Sequence, residues 1–228
     1  MARLVNPVFG NFRGRLGTLS ARVRNGVTIL SARPSSFNAS DDPANIAIRN
    51  RFRVTSGLSS AINGIDDLKK VWDAVSPAGL SAFNAIFKEN FDYADADKPS
   101  INNKLTPDGG FSFVVTSAVV DSATVVVDLP ALNTFKTFGA GEQDLSAYIV
   151  LVPFDPVDPQ YDYFSPLALE YNEPNYDNSA ALNFTVNLTQ SQQNETALYN
   201  QSLLLMCLAT KDAEANVVEY SSTYSQAG

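Results

Sequence analysis

The sequence predicts an α+β fold: an N-terminal β-hairpin and about three helices, followed by an antiparallel, Ig-like β-sandwich. Three observations lead there. An Asn-Gly pair sits between two alternating segments near the start. Apolar residues recur at helical spacing from about 43 to 91. From Leu105 onward that period gives way to short apolar stretches separated by polar, Pro-containing loops.

The hairpin is read from LSARVRNGVTILSA. Asn25-Gly26 suits a two-residue turn, in which both positions take positive φ. Pairing outward sets Arg24 opposite Val27, Arg22 opposite Ile29 and Ala21 opposite Leu30. One face then carries Leu19, Ala21, Val23, Leu30 and Ala32. The other carries Arg22, Arg24 and Arg33 with Ser20 and Ser31.

After a Pro- and Ser-rich link, Asp42-Pro43 reads as N-cap and first helical position. Ile48, Phe52, Thr55, Leu58 and Ile62 follow at helical spacing, up to Asn63-Gly64. A second helix holds Leu68, Val71, Trp72 and Val75. Ser76-Pro77 is expected to open a third, with Leu80, Phe83, Ile86, Phe87 and Phe91 on its buried side. The polar link NFDYADADKPS ends this part. The expected division near 95–104 gives a basic hairpin-and-helix part, 1–100, and an acidic sandwich, 101–228.

Strands are expected at 111–116, 123–129, 146–152, 166–171, 181–188, 202–210 and 216–222. Seven short strands with turn-rich connections suit an antiparallel sandwich. LNFTVNLT alternates, as a half-exposed strand does. LLLMCLA, the run before Thr210, is apolar throughout, as a strand covered on both faces is.

The 228 residues carry a formal charge of −8, distributed unevenly. Residues 1–53 hold nine arginines against Asp41 and Asp42. Residues 105–228 hold Lys136 and Lys211 against fifteen acids, and no arginine follows Arg53. Such polarity points to partners and not to fold.

Several chemistries are set aside. There is no histidine, and the single cysteine, Cys207, lies in an apolar run. This removes His-based acid–base catalysis and the usual zinc sites. No phosphate loop, dinucleotide fingerprint or nucleophile elbow is present. No catalytic residue, metal or cofactor is expected. The acidic runs Asp92, Asp95, Asp97 and Asp155, Asp158, Asp162 lack EF-hand spacing and read as solvated loops. No segment approaches the ~20 apolar residues of a spanning helix. The opening residues lack a signal-peptide pattern, so synthesis in the cytoplasm is expected, with a virion or extracellular particle as a further destination.

The order GNFRGRLG, hairpin, ARPSSF, a helix with N-x-x-x-R-x-R-F, SAFNAIFKEN and an all-β second half resembles a large bacterial family of domains of unknown function, found mainly in Bacteroidota. The ending LLLMCLATKDAEANVVEYSSTYSQ resembles that family's closing strands. The resemblance implies a two-part fold and no catalytic residues. The chain departs from the pattern at Asn25-Gly26, where the family often has an aromatic, and in the acidic insertion PFDPVDPQYDYFSP.

The expected function is non-enzymatic: a structural subunit of a larger particle, a phage or phage-like virion or a bacterial surface assembly, whose partners are copies of itself or other particle proteins. Its basic head would meet the acidic part of another copy through Arg13, Arg15, Arg22, Arg24, Arg33, Arg49, Arg51 and Arg53. A glycan- or protein-binding sandwich is the alternative, with Tyr161, Tyr163, Phe164, Tyr171 and Tyr176 as a ligand loop. Contact with nucleic acid inside a particle is the third reading, weakened by the lack of a nucleic-acid-binding pattern.

Overall fold

The computed structural model describes residues 2–4, 13–24, 26–32, 36, 39–139 and 141–228. The chain forms two compact units, Met1–Pro43 and Ala44–Gly228. The helices therefore group with the later strands, a division distinct from the one the sequence suggests near 95–104.

The first unit is an antiparallel sheet of β1 (Ala2–Leu4), β2 (Gly14–Leu16), β3 (Leu19–Arg24) and β4 (Val27–Ala32), in the order β1-β4-β3-β2. The β3–β4 register matches the turn-based expectation: Arg24–Val27, Arg22–Ile29 and Ala21–Leu30. Gly26 takes φ +74°, while Asn25 and Arg33 lie outside the described residues. Ala21 and Thr28 are buried on one face, and Ser20, Arg22 and Arg24 are exposed on the other. Arg15 pairs with Ser20 in register, so β2 extends the same basic face.

The second unit is layered. Its centre is a five-stranded sheet built on β7 (Asp144–Pro156) and β10 (Tyr199–Lys211), paired from Pro156–Tyr199 to Asp144–Lys211. β8 (Leu167–Glu173) flanks β7. β11 (Val217–Tyr220) and β12 (Tyr224–Ala227) share the far side of β10. Strand alternation gives this sheet two buried faces. Tyr148, Val150, Val152, Leu203, Leu205, Cys207 and Ala209 pack with residues of the helices. Ala147, Ile149, Leu151, Leu204, Met206 and Leu208 share a second core with a three-stranded sheet, β5 (Ser117–Val120), β6 (Thr124–Leu129) and β9 (Leu182–Asn187). This is why LLLMCLA is apolar throughout. Each fully buried Leu there contributes roughly 1.5–3 kcal/mol of transfer free energy.

The helical layer is α1 (Pro43–Gly64), α2 (Asp66–Val75) and α3 (Ala82–Asn90). α1 spans the expected limits and buries Val54, Thr55, Leu58, Ser59 and Ile62. Its earlier apolar residues, Ile48 and Phe52, are exposed instead. α2 buries Leu68, Val71 and Trp72, with Val75 exposed. Trp72 Nε1 donates to Leu105 O at 2.8 Å, satisfying its polar edge inside the core.

α3 begins later than Ser76-Pro77 predicts. Gly79 turns the chain at φ +85°, and the helix then starts on two oxygens: Ser81 Oγ accepts from Asn84 N, and Asp73 Oδ1 from Ala82 N. It buries Ala82, Ile86 and Asn90, while Phe83, Phe87 and Phe91 form a half-buried row of rings beside Phe52. Asn90 is there for its carboxamide. Nδ2 donates to Ile86 O and Lys104 O, and Oδ1 accepts from Lys104 N and Asn103 Nδ2.

The strand expected at 111–116 is absent. Phe111 forms one parallel bridge to Ser221, and regular pairing begins at β5. A short helix, α4 (Gln190–Thr196), follows a capping box between Thr189 and Gln192.

Candidate functional site

The arginines expected at an interface fall into two groups. Arg13, Arg15, Arg22 and Arg24 are exposed in the small sheet or at its border. Register places Arg15, Arg22 and Arg24 on one face. Arg15 Nε donates to Gly17 O at 3.3 Å, which holds that side chain along the turn. Arg49, Arg51 and Arg53 belong to α1 of the second unit. The Arg51 guanidinium stands 5.9 Å from the Phe91 ring centroid, and that of Arg53 stands 5.2 Å from Tyr163. These two cations are engaged with aromatic faces of their own unit.

Among the described residues, most carboxylates of the second unit form no ion pair. Four lysines there form ion pairs within it: Lys70 and Lys211 with Asp67, Lys104 with Glu89 and Asp108, and Lys136 with Glu142 and Glu219. Burial alone would raise the Asp67 and Glu142 pKa values, but donated hydrogen bonds hold both below the ordinary carboxylate value. The donors are Lys211, Tyr148 and Lys70 to Asp67, and Lys136, Thr210 and Gly139 N to Glu142. The internal pairs thus consume basic side chains and leave the surface acidic.

The two acidic runs, distant in sequence, meet in one place. A cleft of about 440 Å³ is lined by Asp97 and Lys98 from the first, and by Asp155, Pro159 and Tyr163 from the insertion. Lys98 Nζ lies 4.0 Å from the centroid of Phe154 at its wall. Among the described residues no group of three or more His, Cys, Asp or Glu is arranged to hold a metal ion.

The five expected loop aromatics divide. Tyr161 and Tyr163 are exposed. Phe164 is buried, bridges Phe154 and lies against Gly57 of α1, where a Cβ would come within 3.0 Å of its ring. Tyr171 stacks on Phe184 at 4.5 Å and donates to Glu173; burial and that carboxylate push its pKa up to about 12. Tyr176 packs at a tilt against Phe138, ring centroids 6.2 Å apart. These three shape the core, and two remain for contact.

A second cleft, of about 580 Å³, has no counterpart in the sequence reading. It runs between β5 and the start of β10, with Gln193, Asn200, Gln201 and Gln226 among its walls. No sequence pattern marks four glutamine or asparagine residues as neighbours when they come from three elements. Gln201 also lines the acidic cleft.

No family model matches the chain, and no curated protein matches it. Among the described residues no helix is long and apolar enough to cross a membrane. Two solved structures of beta-glucosidase from Kluyveromyces marxianus, one Se-Met labelled and one in complex with glucose, are distantly similar. They align over 63% of this chain at 8% and 7% identity, with TM-scores of 0.19 and 0.21. The chain spans 17% of the length of those enzymes.

Proposed function

We propose that the chain is a non-enzymatic, self-associating structural subunit of a larger particle, a phage-like virion or a bacterial surface assembly. One observation carries the reading. Arg15, Arg22 and Arg24 occupy one exposed face of the small sheet, whereas the second unit exposes carboxylates beyond what its paired lysines neutralise. Complementary surfaces on one chain suit a heterologous contact, which repeats into rings or filaments.

Light scattering after size exclusion tests it. The expected result is a mass above that of one chain at low salt, falling in 1 M salt, where the screening length shrinks to about 3 Å. The triple change Arg15→Ser, Arg22→Ser, Arg24→Ser should give a monomer at both salts. An unchanged oligomer in that variant refutes the arginine face as the contact. Nucleic acid co-purifying with the chain and released by salt would instead favour phosphate as the partner of this face.

A further inference from the structure

We propose that the uncovered edge of β10 at Tyr199–Gln201 forms a binding groove for a neutral oligosaccharide. β7 pairs along one side of β10, but on the other side β12 pairs only from Leu203 to Met206. The Gly228 amide donates to Ser202 O. Among the described residues no strand covers Tyr199–Gln201 on that side. The sheet therefore ends in an open step, with backbone polar groups facing solvent.

The two clefts flank this step and share Gln201. Each volume, about 580 and 440 Å³, falls in the range of roughly 300–1,000 Å³ typical of ligand sites. A single sugar ring would occupy one. A chain of rings could lie in both, passing over Gln201.

The chemistry of the larger cleft selects a neutral polyol. Its polar groups include carboxamides, which donate and accept within one group, as sugar hydroxyls do. Asp121 is its one charged side chain, and no lysine or arginine lines it, so an anionic ligand would lack a countercharge. Val119, exposed, and Val120, half-buried, line it and present apolar surface to ring C–H groups. The Gln201 carboxamide is exposed and has no hydrogen-bond partner among the described residues, so a ligand hydroxyl displaces only water.

The smaller cleft supplies the complementary parts. Tyr163 presents an exposed ring, steadied by the Arg53 guanidinium 5.2 Å from its centroid. A flat aromatic surface suits the apolar face of a pyranose. Asp97 and Asp155 offer acceptors for hydroxyls at its rim. Asn200 joins the two clefts, its Nδ2 3.3 Å from Asp155 Oδ2. The groove uses none of Arg13, Arg15, Arg22 or Arg24.

The full chain is titrated by calorimetry with cello-, malto-, chito-, xylo- and mannohexaose. At least one should bind saturably, more tightly than its own disaccharide, and with little change in 1 M salt. Gln201→Ala and Tyr163→Ala, both at exposed positions, should each weaken it about tenfold while leaving the thermal melt unchanged. Arg22→Ser with Arg24→Ser should bind as the parent does. The proposal is overturned if none of the five binds at millimolar concentration, if both groove variants bind normally, or if binding disappears in salt.

Discussion

Lys211 at the end of β10 reaches Asp67 at the start of α2, with Nζ 2.8 Å from Oδ2. The same oxygen accepts from Tyr148 Oη of β7 at 2.6 Å. The helical layer is thus tied to the central strand pair by a charged bond as well as by packing. Each side chain of the pair is only 14% exposed, so solvent screens it weakly. Lys211→Met should cost about 3 kcal/mol, because Asp67 is left short of a donor in a confined place. Tyr148→Phe should cost about 1–2 kcal/mol. Urea unfolding at pH 7 measures both.

Acid should weaken the fold through these carboxylates. Asp67 and Glu142 have folded pKa values below their ordinary 3.8 and 4.5. Their contribution is complete above the unfolded values and is lost as pH falls through the lower folded ones. Urea midpoints should hold from pH 7 to pH 5 and drop below about pH 4. The drop should be shallower in Asp67→Asn. An equal slope in that variant would assign the effect to other groups.

Lys136 and Glu142 are 7% and 5% exposed, with Nζ 2.6 Å from Oε1. Lys136→Met alone should destabilise by about 3–5 kcal/mol, since the carboxylate stays buried without its partner. Adding Glu142→Leu should restore much of the loss, because an apolar pair leaves no charge uncompensated. The double-mutant cycle reads the coupling directly.

Gly110 lies against the β11–β12 connection. A Cβ there would stand 2.6 Å from Ser221 C and 2.8 Å from the Tyr220 carbonyl oxygen. Both obstacles are backbone, fixed by the bonds Phe111 N–Tyr220 O and Ser222 N–Phe111 O. Gly110→Ala should cost about 1–3 kcal/mol by overpacking. Its thermal midpoint should fall, whereas Gly141→Ala, with open space at the added carbon, should melt as the parent does.

Cys207 is fully buried on the helix-facing side of β10, and burial pushes its thiol pKa up. The native protein should not react with a disulfide reagent over an hour at pH 8. Complete reaction should follow unfolding in urea.

Features repeated over several residues were legible in the sequence. The Asn25-Gly26 pair set the β3–β4 register, Pro43 and Gly64 bounded α1, and unbroken apolarity marked β10 as covered on both faces. Elements without a repeat were not. β1 and β2 are three residues each, too short to alternate, and α4 reads QSQQNET with no buried residue. In α3 the row Phe83, Phe87 and Phe91 shares its spacing with Ala82, Ile86 and Asn90. Hydrophobicity favoured the rings, yet the helix turned Asn90 inward, where its carboxamide satisfies four groups. The groove around Gln201 was hidden for a related reason. Its side chains gather only once β5, α4, β10 and β12 are assembled.

The pairing of β7 with β10 also sets an order of events during synthesis. Asp144 meets Lys211, and the second-sheet core needs both strands together with β6 and β9. The helices emerge before the sheet that covers them, with their apolar stripe complete and that sheet still unmade. Distant pairing of this kind slows folding, since a long loop must close before its contacts stabilise anything. Until β10 appears, the nascent chain displays Leu58, Ile62, Leu68 and Ile86 together, a natural grip for a chaperone.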